Sequence, residues 1–441
     1  MKAHRYVAQL ERAQFAKCTG VLTRIGSEYV EADGPIANIG DYCEIDLEGM
    51  AEPMIAEVVS VDQERIRLLP FAGVRKLRLG ASVTMSRHAD DIPVGDCFAG
   101  RAVDALARPI DNKWDIFPES RRPRGGSMLP ALDRVVAQER LVTGIRAIDG
   151  LLPLGKGQRI GIFAASGVGK TSLIDQLAHQ IDCDRVVLCL VGERGREVEK
   201  LWRTHLAERE NTNFTLVAAT ADESASLRIR AMEQSLGLAE YWRDRGEHVL
   251  LIVDSITRVA LALRELGLAS GEPPTVRAFT PNVFSALPKI VERCGASRRG
   301  GAITAIMTVL SETDDVDDPI VELMKSVLDG HIVLSRQLAE KRHFPAIDIG
   351  RSISRLASDL FTRKEEDVSQ QVHAALAKFD EARPMIESGI YRQGNSREID
   401  QAIAWQPALM EFLRQSSDLA SSLEDTRDKL AQICLGNAHA I

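Results

Sequence analysis

The sequence predicts an α/β protein, a core of parallel strands alternating with helices, with a small all-β unit before it and an all-helical unit behind it. Three observations lead there. Between Cys18 and Arg87 the apolar residues come in short β-type runs, GVLTRI, DYCEIDL, IAEVVSV and RIRLLPF, broken by the turn-forming ADGP, NIGD and VDQE. From about Gly155 the apolar strands RIGIFA, RVVLCLVG, FTLVAAT, HVLLIVD, AITAIMTVL and GHIVLS alternate with helical stretches such as Ser224 to Arg245. Short buried strands separated by longer helices imply a parallel sheet covered on both faces. Beyond Phe361 the pattern is helical to the end, with the charged stretches TRKEEDVSQQ and SSLEDTRDKLAQI on amphipathic segments.

The chain's 441 residues, 45% hydrophobic and 27% charged, have the composition of a soluble protein of two to three domains. Residues 1–17 place Tyr6, Leu10 and Ala13 at helical spacing, with Lys2, Arg5, Arg12 and Lys17 outnumbering Glu11. This reads either as a basic amphipathic helix that docks on a partner or membrane surface, or as a frayed tail. Residues 18–87 read as a small β-barrel or sandwich. Residues 88–361 read as the α/β domain, entered through the Pro-, Gly- and Arg-rich connection ARPIDNKWDIFPESRRPRGGSMLP, expected as a long surface loop. Residues 362–441 read as a helical domain.

Charge and cysteine usage exclude some classes. A net charge of −8 gives no global basic field for holding nucleic acid. The seven cysteines lack metal-ligand spacing and are expected as free thiols in a reducing cytosol. No apolar stretch reaches the ~18 residues of a membrane span, and the N-terminus is too polar for a signal peptide. The acidic run Glu312 to Asp318 lacks the glycine and bidentate glutamate of a calcium loop and is expected as a solvated turn.

The sharpest chemical signal is Ala164-Ala165-Ser166-Gly167-Val168-Gly169-Lys170-Thr171, which follows the strand RIGIFA and opens the helix TSLIDQLAHQ. It matches the phosphate-binding P-loop pattern except at its first glycine, here Ala164. Glycines let successive backbone N–H groups wrap phosphate oxygens, and the helix N-terminus adds partial positive charge. Ala165, Ser166, Gly167, Val168, Gly169, Lys170, Thr171 and Ser172 are therefore the expected nucleotide-binding run. Lys170 would neutralise the β and γ phosphates of ATP, and Thr171 would ligate Mg²⁺. Asp254 ends the apolar strand HVLLIVD and is the expected second Mg²⁺ contact. Glu193, just past RVVLCLV on the same sheet edge, can polarise the water that attacks the γ-phosphate, with Arg194 beside it among the nucleotide contacts. His248, His331 and His343 receive no role.

The sequence resembles the RecA-like hexameric ATPases related to the catalytic subunit of rotary ATP synthases, and within them the flagellar and type III secretion export ATPases. The matching segments are VTGIRAIDGLLPLGKGQRIGIFA, LVGERGREV, ATADESASLRIRA, LLIVDSITRVALALRELGLASGEPP, VLDGHIVLSR, HFPAIDIGRSISR and YRQGNSREIDQAI, spread over nearly the whole chain. The segment Ser396-Arg397-Glu398-Ile399-Asp400 looks more like flagellar members than injectisome members. The resemblance implies a RecA-like P-loop core, a small N-terminal β-barrel and a C-terminal helical domain. It makes Lys170 and Glu193 catalytic, Thr171 and Asp254 the Mg²⁺ contacts, and Phe344 the packing surface for adenine. Arg355 would be an arginine finger acting in trans on the neighbouring subunit's ATP. It further implies a homohexamer that binds a stator-like regulatory protein through its N-terminal helix. Export-gate membrane proteins, chaperones and their cargo are the other implied partners, at the inner face of the cytoplasmic membrane. Two departures stand out: Ala164, and Arg277-Ala278-Phe279-Thr280-Pro281-Asn282 where the family more often has Arg-Gly-Tyr-Pro-Pro-Ser.

Four other readings compete, and a rotary ATP synthase subunit is disfavoured because residues 362–385 lack an obvious acidic loop of the kind that engages a rotor. An injectisome ATPase would share all of this chemistry, whereas a non-catalytic ring subunit would have no need of Glu193. An RNA translocase would want stacking aromatics, and residues 18–87 offer only Tyr29, Tyr42 and Phe71.

Overall fold

The computed structural model describes residues 18–26, 29–47, 53–63, 65–74, 77–86, 91–126, 128–203, 213–310 and 318–436. The expected helix over residues 1–17 and most of the acidic run, residues 312–317, lie outside them.

The N-terminal unit is a barrel, not a sandwich. Six antiparallel strands close it in the order Thr19–Ile25, Val30–Asp33, Arg65–Pro70, Met54–Asp62, Tyr42–Ile45, Ser82–Met85 and back to the first. Alternate residues point inward, so Leu22, Val30, Ala32, Cys43, Ile45, Ala56, Val58, Ile66, Leu68 and Val83 fill the interior. Val30–Asp33 and Ser82–Met85 are the strands missed by pattern; the first runs into the turn sequence ADGP and both are four residues long.

The barrel is fastened to the core by buried charge. Tyr42 is 1% exposed and lies under the guanidinium groups of Arg124 and Arg230. Arg124 also pairs with Glu57 of the barrel and with Glu233 of the core. Tyr42 meets Phe71 edge-on, and Arg67 lies over Tyr29, so the barrel aromatics make contacts within the fold.

The core is one sheet of ten strands among the described residues. Eight follow in the order Ile347–Ser354, Gly330–Leu334, Arg159–Ala164, Ala302–Leu310, His248–Asp254, Arg185–Glu193, Phe214–Thr220 and Ala102–Asp104. All neighbours in this series are parallel except Ile347–Ser354, which runs antiparallel at one edge. The six strands read from the apolar runs are all present. Their alternation builds two cores. Val187, Cys189 and Val191 face the helices Ala225–Arg243, Ile256–Ala269 and Pro281–Glu292. Val186, Leu188 and Leu190 face Leu173, Ile174 and Leu177 of the P-loop helix Lys170–Gln180.

The C-terminal helices Arg363–Glu387, Arg397–Leu413 and Leu423–Gly436 complete this second core, burying Trp405, Leu409, Phe412 and Leu430. The first begins with a capping box in which Thr362 and Glu365 exchange side-chain and backbone hydrogen bonds. Glu365 also receives Arg140 and Arg427; against burial, which pushes the other way, the Thr362 hydroxyl and amide and then these two guanidinium groups hold its carboxyl at about 2.

The connection runs over the surface as expected, with none of the described residues 107–130 buried as a whole residue, and it is pinned at Asp111. The Asp111 side chain is fully buried and takes Arg101 Nε at 2.7 Å and Nη2 at 3.0 Å, besides the amides of Ala102 and Lys113. Farther along, Ser120–Pro123 pairs with Asp91–Val94 as a small ribbon.

Candidate functional site

The parallel strands all deliver their C-terminal ends to one edge of the sheet, where open α/β sheets bind ligands. At this edge the P-loop follows Ala164. Gly167 and Gly169 have φ of +80° and +92°, a conformation that disfavours any side chain. Gly169 has a second reason to be glycine, because a Cβ there would stand 3.2 Å from the ring of Phe344. Val168, 1% exposed, anchors the loop in the core, while Ser166 and Gly167 are exposed. Ala164, the departure from the pattern, is the last residue of the strand, whose extended backbone an L-residue adopts freely.

Lys170 opens the helix and forms an ion pair with Asp254, which ends the strand two places away in the sheet. The same Asp254 oxygen, Oδ1, accepts the Thr308 hydroxyl at 2.8 Å. Thr308 belongs to the strand lying between them, so three consecutive strands converge on one carboxylate that is 4% exposed. Among the described residues, Oδ2 accepts no hydrogen bond.

Glu193 stands 3.9 Å from Lys170. Its strand has an irregularity between Val191 and Glu193, where Gly192 takes φ +71°, and such a bulge re-aims the side chain that follows it. A Cβ on Gly192 would lie 3.1 Å from the Arg258 side chain, tight enough that Arg258 would have to shift. Burial, then the negative charge of Asp254, lift the Glu193 carboxyl to about 7, against the opposing pull of Lys170 and with a further push from Glu197. A carboxyl poised there exchanges its proton near neutral pH.

Thr171 and Ser172 are exposed on the first turn of the P-loop helix, and Arg194 is exposed as the N-cap of Gly195–Trp202. Phe344 is 37% exposed beside Gly169. The structure thus brings Lys170, Thr171, Glu193, Arg194, Asp254 and Phe344 to one edge. Arg355 is elsewhere. It follows Ser354, which pairs with Gly330, which in turn pairs with Ile160 at the start of the P-loop strand. That is the opposite edge of the sheet, where Arg355 is exposed and donates to the Lys325 carbonyl at 2.9 Å.

Sequence reasoning missed Thr308 and Arg258. Thr308 is a hydroxyl inside the apolar run AITAIMTVL, where a polar residue on a buried strand is itself a signal. Arg258 lies in a helix whose pattern offers no such cue. No cluster of three His, Cys, Asp or Glu side chains able to hold a metal occurs among the described residues. One carboxylate with an uncommitted oxygen, one exposed hydroxyl and phosphate oxygens from a substrate is instead the donor set that suits Mg²⁺.

Residues 144–354 match the model for the ATP synthase alpha/beta family, nucleotide-binding domain, and residues 361–432 match that for the T3SS EscN ATPase C-terminal domain. The flagellum-specific ATP synthase of Bacillus subtilis is 39% identical over 97% of this chain and 97% of its own length. The type 3 secretion system ATPase of Sinorhizobium fredii is 39% identical over 92% of this chain and 90% of its own. Among solved structures, the assembled ATPase EscN of the enteropathogenic E. coli type III secretion system superposes with a TM-score of 0.88 at 39% identity, covering 94% of this chain and 99% of that one. The same ATPase in complex with its central stalk EscO gives 0.85 at 38% identity, over 94% and 99% of the two chains. With a P-loop core, a six-stranded barrel before it and a matching helical domain behind it, the chain belongs to the family of flagellar and type III secretion ATPases.

Proposed function

We propose that the protein is the ATP-hydrolysing, ring-forming motor of a flagellar type III export apparatus. The observation that carries the enzymatic part is the convergence of Lys170, Asp254 and Glu193 on one sheet edge, with the Glu193 carboxyl lifted to about 7. Lys170 exchanges its Asp254 partner for phosphate oxygens. The P-loop amides orient the triphosphate, and Phe344 packs on the adenine. Glu193 in its ionised form takes the proton of the attacking water as the water bonds to the γ-phosphorus and the bond to the β–γ bridging oxygen breaks. Thr171 and Asp254 would hold Mg²⁺, which when bound neutralises charge on the phosphates. Arg355, set on the opposite edge from its own P-loop, would serve a neighbouring copy in a homohexamer.

The flagellar assignment rests on the Ser396–Asp400 segment, where Ser396 caps the helix Arg397–Leu413 and the Tyr391 hydroxyl donates to Asp400 at 2.9 Å. Injectisome relatives are equally identical, so the cargo is decided in the cell: loss of the gene abolishes motility under the flagellar reading and effector secretion under the other. We place the protein in the cytoplasm, peripheral to the membrane when assembled; among the described residues no helix is long and apolar enough to cross one. Its proposed partners are a stator-like regulator at residues 1–17, gate proteins, chaperones and their cargo.

The enzymatic reading is tested by ATP hydrolysis against protein concentration. Specific activity rises cooperatively with concentration, and Glu193→Gln loses turnover by about 10²-fold or more while still binding nucleotide. Nucleotide binding without turnover in the wild type would instead make this a non-catalytic ring subunit.

A further inference from the structure

We infer that Gln415, in the C-terminal helical unit, is a positioning residue for nucleotide binding that holds Phe344 against the P-loop. The inference rests on the reading of Phe344 as the surface for adenine. Gln415 is 7% exposed, two residues past the end of helix Arg397–Leu413. Its side chain is fully engaged. Oε1 accepts the Arg146 amide at 2.9 Å, and Nε2 donates to the carbonyls of Gly144 and Leu419, each at 2.7 Å. On either side the Arg146 guanidinium reaches the Arg414 carbonyl, and the Ser421 amide donates to Gly144 at 2.9 Å.

These bonds fix the one group through which Gln415 touches the site. Its own backbone N–H donates to the Phe344 carbonyl at 2.9 Å. The Phe344 ring in turn lies 3.2–3.3 Å from where a Cβ on Gly169 would stand, so it rests on the glycine that precedes Lys170 and Thr171. A continuous path of contacts therefore runs from the C-terminal unit through Gln415 and Phe344 to the phosphate loop. Loosening the first contact lets the ring leave the last.

Substituting alanine keeps the backbone N–H and removes only the clamp, which separates positioning from direct contact. In the full-length protein, Gln415→Ala raises the KM for ATP about threefold or more with kcat within about twofold, and Phe344→Ala raises KM about tenfold, as loss of one base–aromatic stack does. The double variant matches Phe344→Ala alone, because both changes act on one contact. Arg427→Ala, which removes an ion pair to Glu365 elsewhere in the C-terminal unit, lowers the thermal midpoint and leaves KM unchanged. If Gln415→Ala does not fold, Gln415→Met, of similar size, uncharged and without the two donors, gives the same KM shift. The proposal is overturned if Gln415 variants change only the thermal midpoint, or if the two KM effects multiply. If Phe344→Ala leaves KM at the wild-type value, the adenine reading is what fails, and the positioning role goes with it.

Discussion

Glu193 owes its proton affinity first to where its strand ends. Burial and the neighbouring Asp254 lift it to about 7, so kcat/KM for ATP, which reports the free enzyme, rises with pH through about 7 and falls below 6. The same shift has a stability consequence of the opposite sense. A carboxyl whose folded pKa exceeds its unfolded 4.5 favours the fold fully below 4.5, and that contribution is lost as pH rises through about 7. Glu193→Gln, which has no proton to lose, gains thermal midpoint over the wild type above pH 7, and the gap closes below pH 5. A pH-independent difference in midpoint would contradict this. Arg277 and Ala278, which open the segment that departs from the family pattern, have φ of +52° and +60°. Left-handed backbone costs a residue with a side chain ~1–2 kcal/mol, so Ala278→Gly stabilises the protein by about 1 kcal/mol in denaturant unfolding. Lys170, Thr171, Asp254 and Glu193 were legible because each follows an apolar strand that fixes its edge. The φ at 277 was not, since no pattern in an exposed loop encodes it, whereas the glycine more usual in the family at 278 was a cue to left-handed backbone there.

At the scale of elements, hydrophobic period identified the strands and helices of the core, and it is silent on the polar contacts that anchor a surface segment. The connection after Ala107 has the composition of a loop, yet the Arg101–Asp111 pair is buried at 6% and 0% side-chain exposure. Removing one member of such a pair strands the other charge in the interior. Asp111→Ala is therefore expected to cost about 3–5 kcal/mol, against near zero for an exposed ion pair such as Arg336–Glu340. Chemical denaturation of both variants checks this, and equal small losses would mean the loop is not anchored by the pair. The strand Ile347–Ser354 was hidden for a related reason. Its burial alternates irregularly because it is an antiparallel edge strand interrupted at Gly350 and Arg351, both exposed.

For the whole molecule, the placement of Arg355 decides whether one chain suffices for catalysis. The register sets Ser354, the residue before it, level with Ile160, so the length of the P-loop strand, about 13 Å at ~3.3 Å per residue, separates Arg355 from its own phosphate loop. An arginine that stabilises the transition state must touch the γ-phosphate, so in its proposed role Arg355 acts on the ATP of another copy. Lys170→Ala destroys a subunit's own phosphate site but leaves its Arg355, while Arg355→Ala does the reverse. Each variant alone is inactive. Mixed in equal amounts and allowed to exchange, they form rings in which about one interface in four joins an intact P-loop to an intact arginine, and hydrolysis returns to about that fraction of the wild type. If Arg355 served its own chain, no subunit in the mixture would hold both groups and activity would stay at the level of the separate variants. Recovery of ATPase activity on mixing therefore reads out the direction of the arginine, and with it whether the ring is part of the active site.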